Sequence, residues 1–168
     1  MRILLLALIV YLAAVAETSL GDVMRVGRVT PDLLALVATV YVLAARGPRA
    51  FLVAGAVALA GDLIAPGRLG VGAAWMLVVG YAVGRLRHHV RLDHFTAQVP
   101  VVGLAVACWA AGVGATARLL GELPLAWSTT AVRAAGVGLY TAGVALPVLM
   151  VLAWTRERAI APQRQVSA

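Results

Sequence analysis

51-FLVAGAVALAGDLIAPGRLGVGAAWMLVVGYAVGRLR-87 holds two apolar segments joined by a short connector that carries Asp62, Pro66, Gly67, Arg68 and Gly70. The first segment ends in an acid, and the second stops at a cluster of arginines and histidines. Solubility does not explain an acid at the end of an apolar run. The stretch reads as a transmembrane hairpin, with its polar turn on one side of a bilayer and its basic end on the other.

The rest of the chain fits that reading. Its 168 residues are 62% hydrophobic and 12% charged, with a mean hydropathy of +0.95. A soluble domain of this size cannot hide so much apolar surface. The formal charge of +7 would suggest nucleic acid in a soluble chain. Here the bases sit in short loops beside apolar spans, where orientation and anionic headgroups account for them. The predicted fold class is an all-α polytopic membrane protein with six transmembrane helices. Residues 1–155 form a single transmembrane helical domain, and 156–168 a disordered cytoplasmic polar tail. The single Cys108 lies in an apolar run and excludes an intrachain disulfide.

Taken in order, the first span covers Ile3 to Ala16. Ala14-Val15-Ala16 before Glu17 resembles a signal-peptide cleavage site, the alternative being an uncleaved anchor. Glu17 to Thr30 is a polar connector. The second span opens at Thr30-Pro31-Asp32, with Thr30 as cap, Pro31 in the first position and Asp32 favouring the positive end of the dipole. It runs to Ala45, where Arg46-Gly47-Pro48-Arg49 makes a basic turn. The remaining spans are Pro48 to Ile64, Leu69 to Leu86, Ala97 to Leu120 and Ala131 to Trp154, with Ser128, Thr129 or Thr130 capping the last and Pro147 kinking it. Spans two and three are short for full crossings, and a re-entrant hairpin is the alternative there. With the N-terminus cytoplasmic, Arg2, Arg46, Arg49, Arg85, Arg87, Arg91, Arg156, Arg158 and Arg164 fall inside, against Arg25, Arg28, Arg68, Arg118 and Arg133 outside. That asymmetry places both termini in the cytoplasm.

Small residues at four-residue spacing recur as Gly80 and Gly84, Ala107 and Ala111, and Ala134 and Gly138. They serve packing within one bundle, or else a dimer or partner face. Asp62 opposes the negative end of its own helix dipole, so it needs a compensating group, Arg68 or water. Asp32, Asp62, Arg68, Arg118, Glu122 and Arg133 form a candidate outer polar cluster for partner binding, with Glu122 as the partner for Arg133. The alternative is a set of independent interface charges or, at Asp62, a structural salt bridge. Arg85, Arg87 and Arg91 make a basic cytoplasmic patch for headgroups or a protein partner. His88, His89 and His94 lack the second cluster a metal site needs. Trp127 and Trp154 fall at span boundaries, Trp75 near the outer interface and Trp109 inside the bundle. The sequence contains no nucleophile elbow, phosphate loop, paired-carboxylate site or zinc spacing, so the reading is non-enzymatic, without cofactor or metal.

Gly55, Asp62, the connector to Leu69-Gly70, Ala73 and Ala74, and Gly80-Tyr81 before Gly84-Arg85-Leu86-Arg87 together resemble the MreD family of bacterial rod shape-determining membrane proteins. Pro31-Asp32-Leu33-Leu34 upstream and Pro147 in a last helix with a basic end are similar too. The resemblance implies a bundle like the substrate-binding subunits of energy-coupling-factor transporters. It also implies a non-enzymatic adaptor role in the cell-elongation machinery for rod shape and lateral cell-wall synthesis. The implied partners are an MreC-like membrane protein and, through it, MreB, RodA and a penicillin-binding transpeptidase. The alternative is a substrate-binding subunit of a vitamin-type transporter. Against it stands the thin polar inventory inside the spans, because a ligand pocket needs a few convergent polar groups.

Overall fold

A computed structural model describes residues 2–20, 23, 29–45, 47, 49–64, 68–89, 95–121 and 126–164. Among these it is all-helical, with α1 (Arg2–Leu20), α2 (Leu33–Ala44), α3 (Ala50–Ile64), α4 (Val71–His89), α5 (Phe95–Leu119) and α6 (Trp127–Arg164). Two stretches, Thr96–Leu119 and Trp127–Trp154, are long and apolar enough to cross a membrane. Leu4–Ser19, Leu33–Ala44 and Ala50–Ile64 are shorter apolar helices.

The shortest helix is the hub. α2 touches α1, α3, α4, α5 and α6. Its neighbouring residues Leu34, Ala35 and Leu36 are all buried, as are Ala38, Thr39, Val42 and Leu43. A helix apolar on every side has no solvated stripe and must be enclosed. Around it pack Ala54, Val57 and Ala58 of α3, Met76, Val79 and Val83 of α4, Val102 and Val106 of α5, and Ala145 and Leu149 of α6.

α5 and α6 form the most intimate pair. Small residues set their separation: a side chain at Gly138 would run into the Gly103 carbonyl oxygen and Ala107, and one at Gly103 would meet Ala142 at 2.9 Å. With no side-chain volume between them, the two backbones touch directly. Ala134 is buried on the same helix, whereas Cys108 is exposed on α5. Gly121, at φ 76°, ends α5 in the left-handed conformation that glycine adopts without a Cβ penalty.

Several helix ends differ from the sequence reading. Asp32, not Thr30, is the N-cap of α2: its backbone is extended (φ −98°, ψ 100°) and its Oδ1 accepts the Ala35 N–H at 2.6 Å. Aspartate caps at least as well as threonine, and the Asp32 N–H is drawn aside to Thr141 Oγ1 at 3.2 Å. α1 continues past Ala16 to Leu20 and takes Glu17 out of the connector. α6 begins at Trp127, so Ser128 to Thr130 lie in its first turn. It continues to Arg164, through most of the segment expected as a disordered tail. Extending an existing helix adds a hydrogen bond for each residue fixed, and Arg-Glu-Arg-Ala favours it.

Candidate functional site

Two clusters of polar side chains lie at opposite ends of α2. At its N-terminus, the acidic end, three carboxylates converge. Asp32 caps the helix, while Glu17 Oε2 accepts the Leu34 N–H at 3.3 Å from α1. The Asp32 carboxylate interacts electrostatically with both Glu17 and Asp62. Glu17 was not among the sequence candidates, because its connector position gave no hint that α1 would carry it there.

The group that compensates Asp62 comes from the next helix. Asp62 Oδ2 accepts two peptide N–H groups, from Gly70 at 2.9 Å and from Ala73 at 3.0 Å, at the N-terminus of α4. The turn between α3 and α4 thus sets a carboxylate against the positive end of a neighbouring dipole. Gly70, with φ +91°, makes that turn possible. Gly72 makes the approach possible, since a Cβ there would collide with Asp62 Oδ1. Arg68 is exposed at the start of this turn.

Two tryptophans tie this end to α5. Trp75 Nε1 donates to Thr116 Oγ1 at 2.9 Å, and Trp109 Nε1 donates to the Gly72 carbonyl at 2.9 Å. The Trp75 ring fills a slot that exists because position 112 is glycine. From Trp109, α5 runs on to Leu119, about 15 Å at 1.5 Å per residue. Thr116, bonded to Trp75, lies three residues short of that end. There the Arg118 guanidinium stacks on Trp127, 4.7 Å from the ring centroid. Its Nη1 is buried and has no hydrogen-bond partner among the described residues. Arg133 is exposed on α6.

Asp32 and Asp62 come together with Glu17 on helix N-termini, whereas Arg118 stacks on Trp127 at the α5–α6 tip. Glu122 lies outside the described residues.

At the basic end, Arg87 Nη1 donates to the Ala45 carbonyl and, at 3.4 Å, to that of Val42. These are terminal carbonyls of α2, so Arg87 closes the C-terminus as Asp32 closes the N-terminus. Arg85 Nε donates to Tyr81 Oη at 3.1 Å, and its guanidinium carbon lies 5.7 Å from the Tyr81 ring centroid. Arg91 lies outside the described residues.

Of the small-residue pairs, Gly80 and Gly84 part company. A Cβ at Gly80 would meet Phe51 at 3.4 Å, but one at Gly84 would meet nothing within 4 Å. Among the described residues, Gly84 makes no such packing contact. Ala107 lies against Gly138, and Ala111 is half-buried one turn further along α5.

Compared with known proteins, the chain matches no family, no curated protein and no solved structure.

Proposed function

We propose that the chain is a multi-pass protein of the bacterial cytoplasmic membrane, with six crossing helices and both termini in the cytoplasm. In this reading it is a non-enzymatic adaptor of the cell-elongation machinery. It docks an MreC-like membrane protein, and through it MreB, RodA and a penicillin-binding transpeptidase. The family resemblance in the sequence supplies the identity of the machinery. The structure supplies physical support for an adaptor.

The membrane reading draws on exposed apolar side chains: Leu4 is 76% exposed, Leu104 67% and Leu139 79%. Surfaces of this kind belong in lipid or under a partner. α2 and α3, with 12 and 15 residues, span about 18 and 22 Å at 1.5 Å per residue, less than a bilayer core of about 30 Å. Short helices are tolerated at membrane depth when protein groups satisfy their open ends. Asp32, Glu17 and Arg87 do this for α2.

The adaptor reading rests on one observation. Asp32, Glu17, Asp62 and Arg87 spend their polar atoms on helix ends, and Trp75 and Trp109 on helix-to-helix bonds, and so brace the bundle. The α5–α6 tip, with exposed Trp127 and Arg133 and with Arg118 stacked beneath Trp127, is then the surface offered to a partner on the external side. A tagged chain co-expressed with an MreC-like partner should yield a complex. Arg133→Glu should lower its recovery about tenfold, equivalent to roughly 1.4 kcal/mol. Recovery of no such complex, together with a vitamin retained at near one per chain, would instead favour the transporter subunit. Topology is tested separately by reporter fusions at 46–49, at 85–94 and at the C-terminus. All should report cytoplasm, and a periplasmic signal at any one breaks the six-span arrangement.

A further inference from the structure

At the basic end, α2, α3 and α4 do not close on one another. They leave a cavity of about 590 Å³ whose lining includes Phe51, Gly80, Tyr81, Gly84, Arg85 and Arg87. We propose that this cavity binds the phosphate headgroup of one anionic phospholipid, with the phosphate on the two arginines and the glycerol end of the chains against Phe51 and Gly84. The inference rests on the membrane topology above and is independent of the cell-elongation role.

The lining is built in three parts. Phe51 and Tyr81 pack edge to face, with centroids 5.9 Å apart and planes at 84°, and form a stiff aromatic wall. Tyr81 in turn fixes Arg85 through the Oη contact at 3.1 Å. That bond engages only Nε, and the two terminal nitrogens carry four further N–H donors in the planar geometry that suits phosphate oxygens. Arg87, anchored on the α2 carbonyls, adds a second fixed positive charge to the lining.

The space itself depends on Gly84. Gly80 packs on Phe51, but Gly84 sits one turn further along α4, beyond the start of α3 at Ala50, and among the described residues no atom lies within 4 Å of a Cβ placed there. A side chain at 84 would project into open volume. The cavity's size falls within the range of about 300–1,000 Å³ typical of small-ligand sites.

Two features favour a lipid over a soluble phosphate compound. The eight lining residues other than the two arginines are small, apolar or aromatic, as the glycerol-proximal part of the acyl chains requires. Leu52 on α3 and Leu86 on α4 are 50% and 43% exposed, so the helices that line the cavity also present apolar side chains outside it.

The test is native mass spectrometry of the detergent-solubilised chain, titrated with phosphatidylglycerol, with phosphatidylcholine and with glycerol 3-phosphate. One phosphatidylglycerol should bind per chain in preference to phosphatidylcholine. Arg85→Ala should weaken it about tenfold, the scale of a lost charge-assisted contact. Gly84→Leu should abolish it by filling the space, with thermal unfolding close to wild type. Because Arg85 is exposed, its variant reports on the site even if Gly84→Leu perturbs the fold. Equal retention of phosphatidylglycerol by wild type and both variants would overturn the proposal, as would equal binding of phosphatidylcholine. Glycerol 3-phosphate binding as tightly as the lipid would overturn the lipid assignment in favour of a soluble phosphate ligand. A periplasmic reporter at 85–94 would instead indict the topology, so the two failures remain distinct.

Discussion

At the acidic end of the α2–α3–α4 unit, carboxylates sit on helix N-termini; at the basic end, a guanidinium sits on the C-terminus of α2. The electrostatic logic is shared, since each charge faces the dipole end of opposite sign. The packing around the charges differs. Asp62 accepts two N–H groups and is held so closely that position 72 must be glycine. Arg87, from α4, caps α2 beside an open cavity that position 84 leaves unfilled. One end uses its charges to close the structure. The other uses one arginine to close it and keeps a second at the rim of free space.

The largest expected effect tests the closed end. Asp62→Ala removes the acceptor for two N–H groups and should destabilise the chain by about 2 kcal/mol, the range for charged caps. Asp62→Asn, which keeps an oxygen for both donors, should recover most of that loss. Gly72→Ala should mimic Asp62→Ala, and the double variant should cost little more than either alone, because both break one contact. Thermal unfolding in detergent measures all four chains. Full additivity would mean that Gly72 and Asp62 act separately.

Next in size is Gly80→Val. The added methyl groups press on Phe51 and Val42, and overpacking of this kind costs about 1–2 kcal/mol. Gly84→Ala, one turn away, should change stability by less than about 0.5 kcal/mol or improve it through helix propensity. Equal losses at the two positions would erase the distinction between packed and open ends. Below Gly80→Val in size comes Arg87→Ala, at about 1 kcal/mol for a partly buried cap on α2 carbonyls. A loss as large as that of Asp62→Ala would show the two ends to be equally closed.

Much of the helix layout was legible because charged and turn-forming residues punctuate the apolar runs. Arg46 to Arg49 and the connector after Asp62 mark α2, α3 and α4 to within a few residues. The partner of Asp62 was not legible. The sequence shows an acid badly placed on its own helix, but only the turn at Gly70 shows that the next N-terminus comes back to meet it. Gly80 and Gly84 look equivalent at four-residue spacing. They differ because α3 starts opposite one and short of the other, which local periodicity cannot report. The centrality of α2 was hidden for a further reason: in an apolar chain, a helix hydrophobic on all sides suits lipid as well as a core.

That central helix carries a consequence for biogenesis. α2 is the second helix to leave the ribosome, yet its surroundings are complete only when the sixth arrives, and the Asp32 N–H waits for the hydroxyl of Thr141. A nascent chain arrested before Thr141 would carry its future axle half-sheathed, with that donor unmet. Such intermediates expose apolar surface that chaperones and quality-control proteases recognise, and the last helix acts as the latch that ends their exposure.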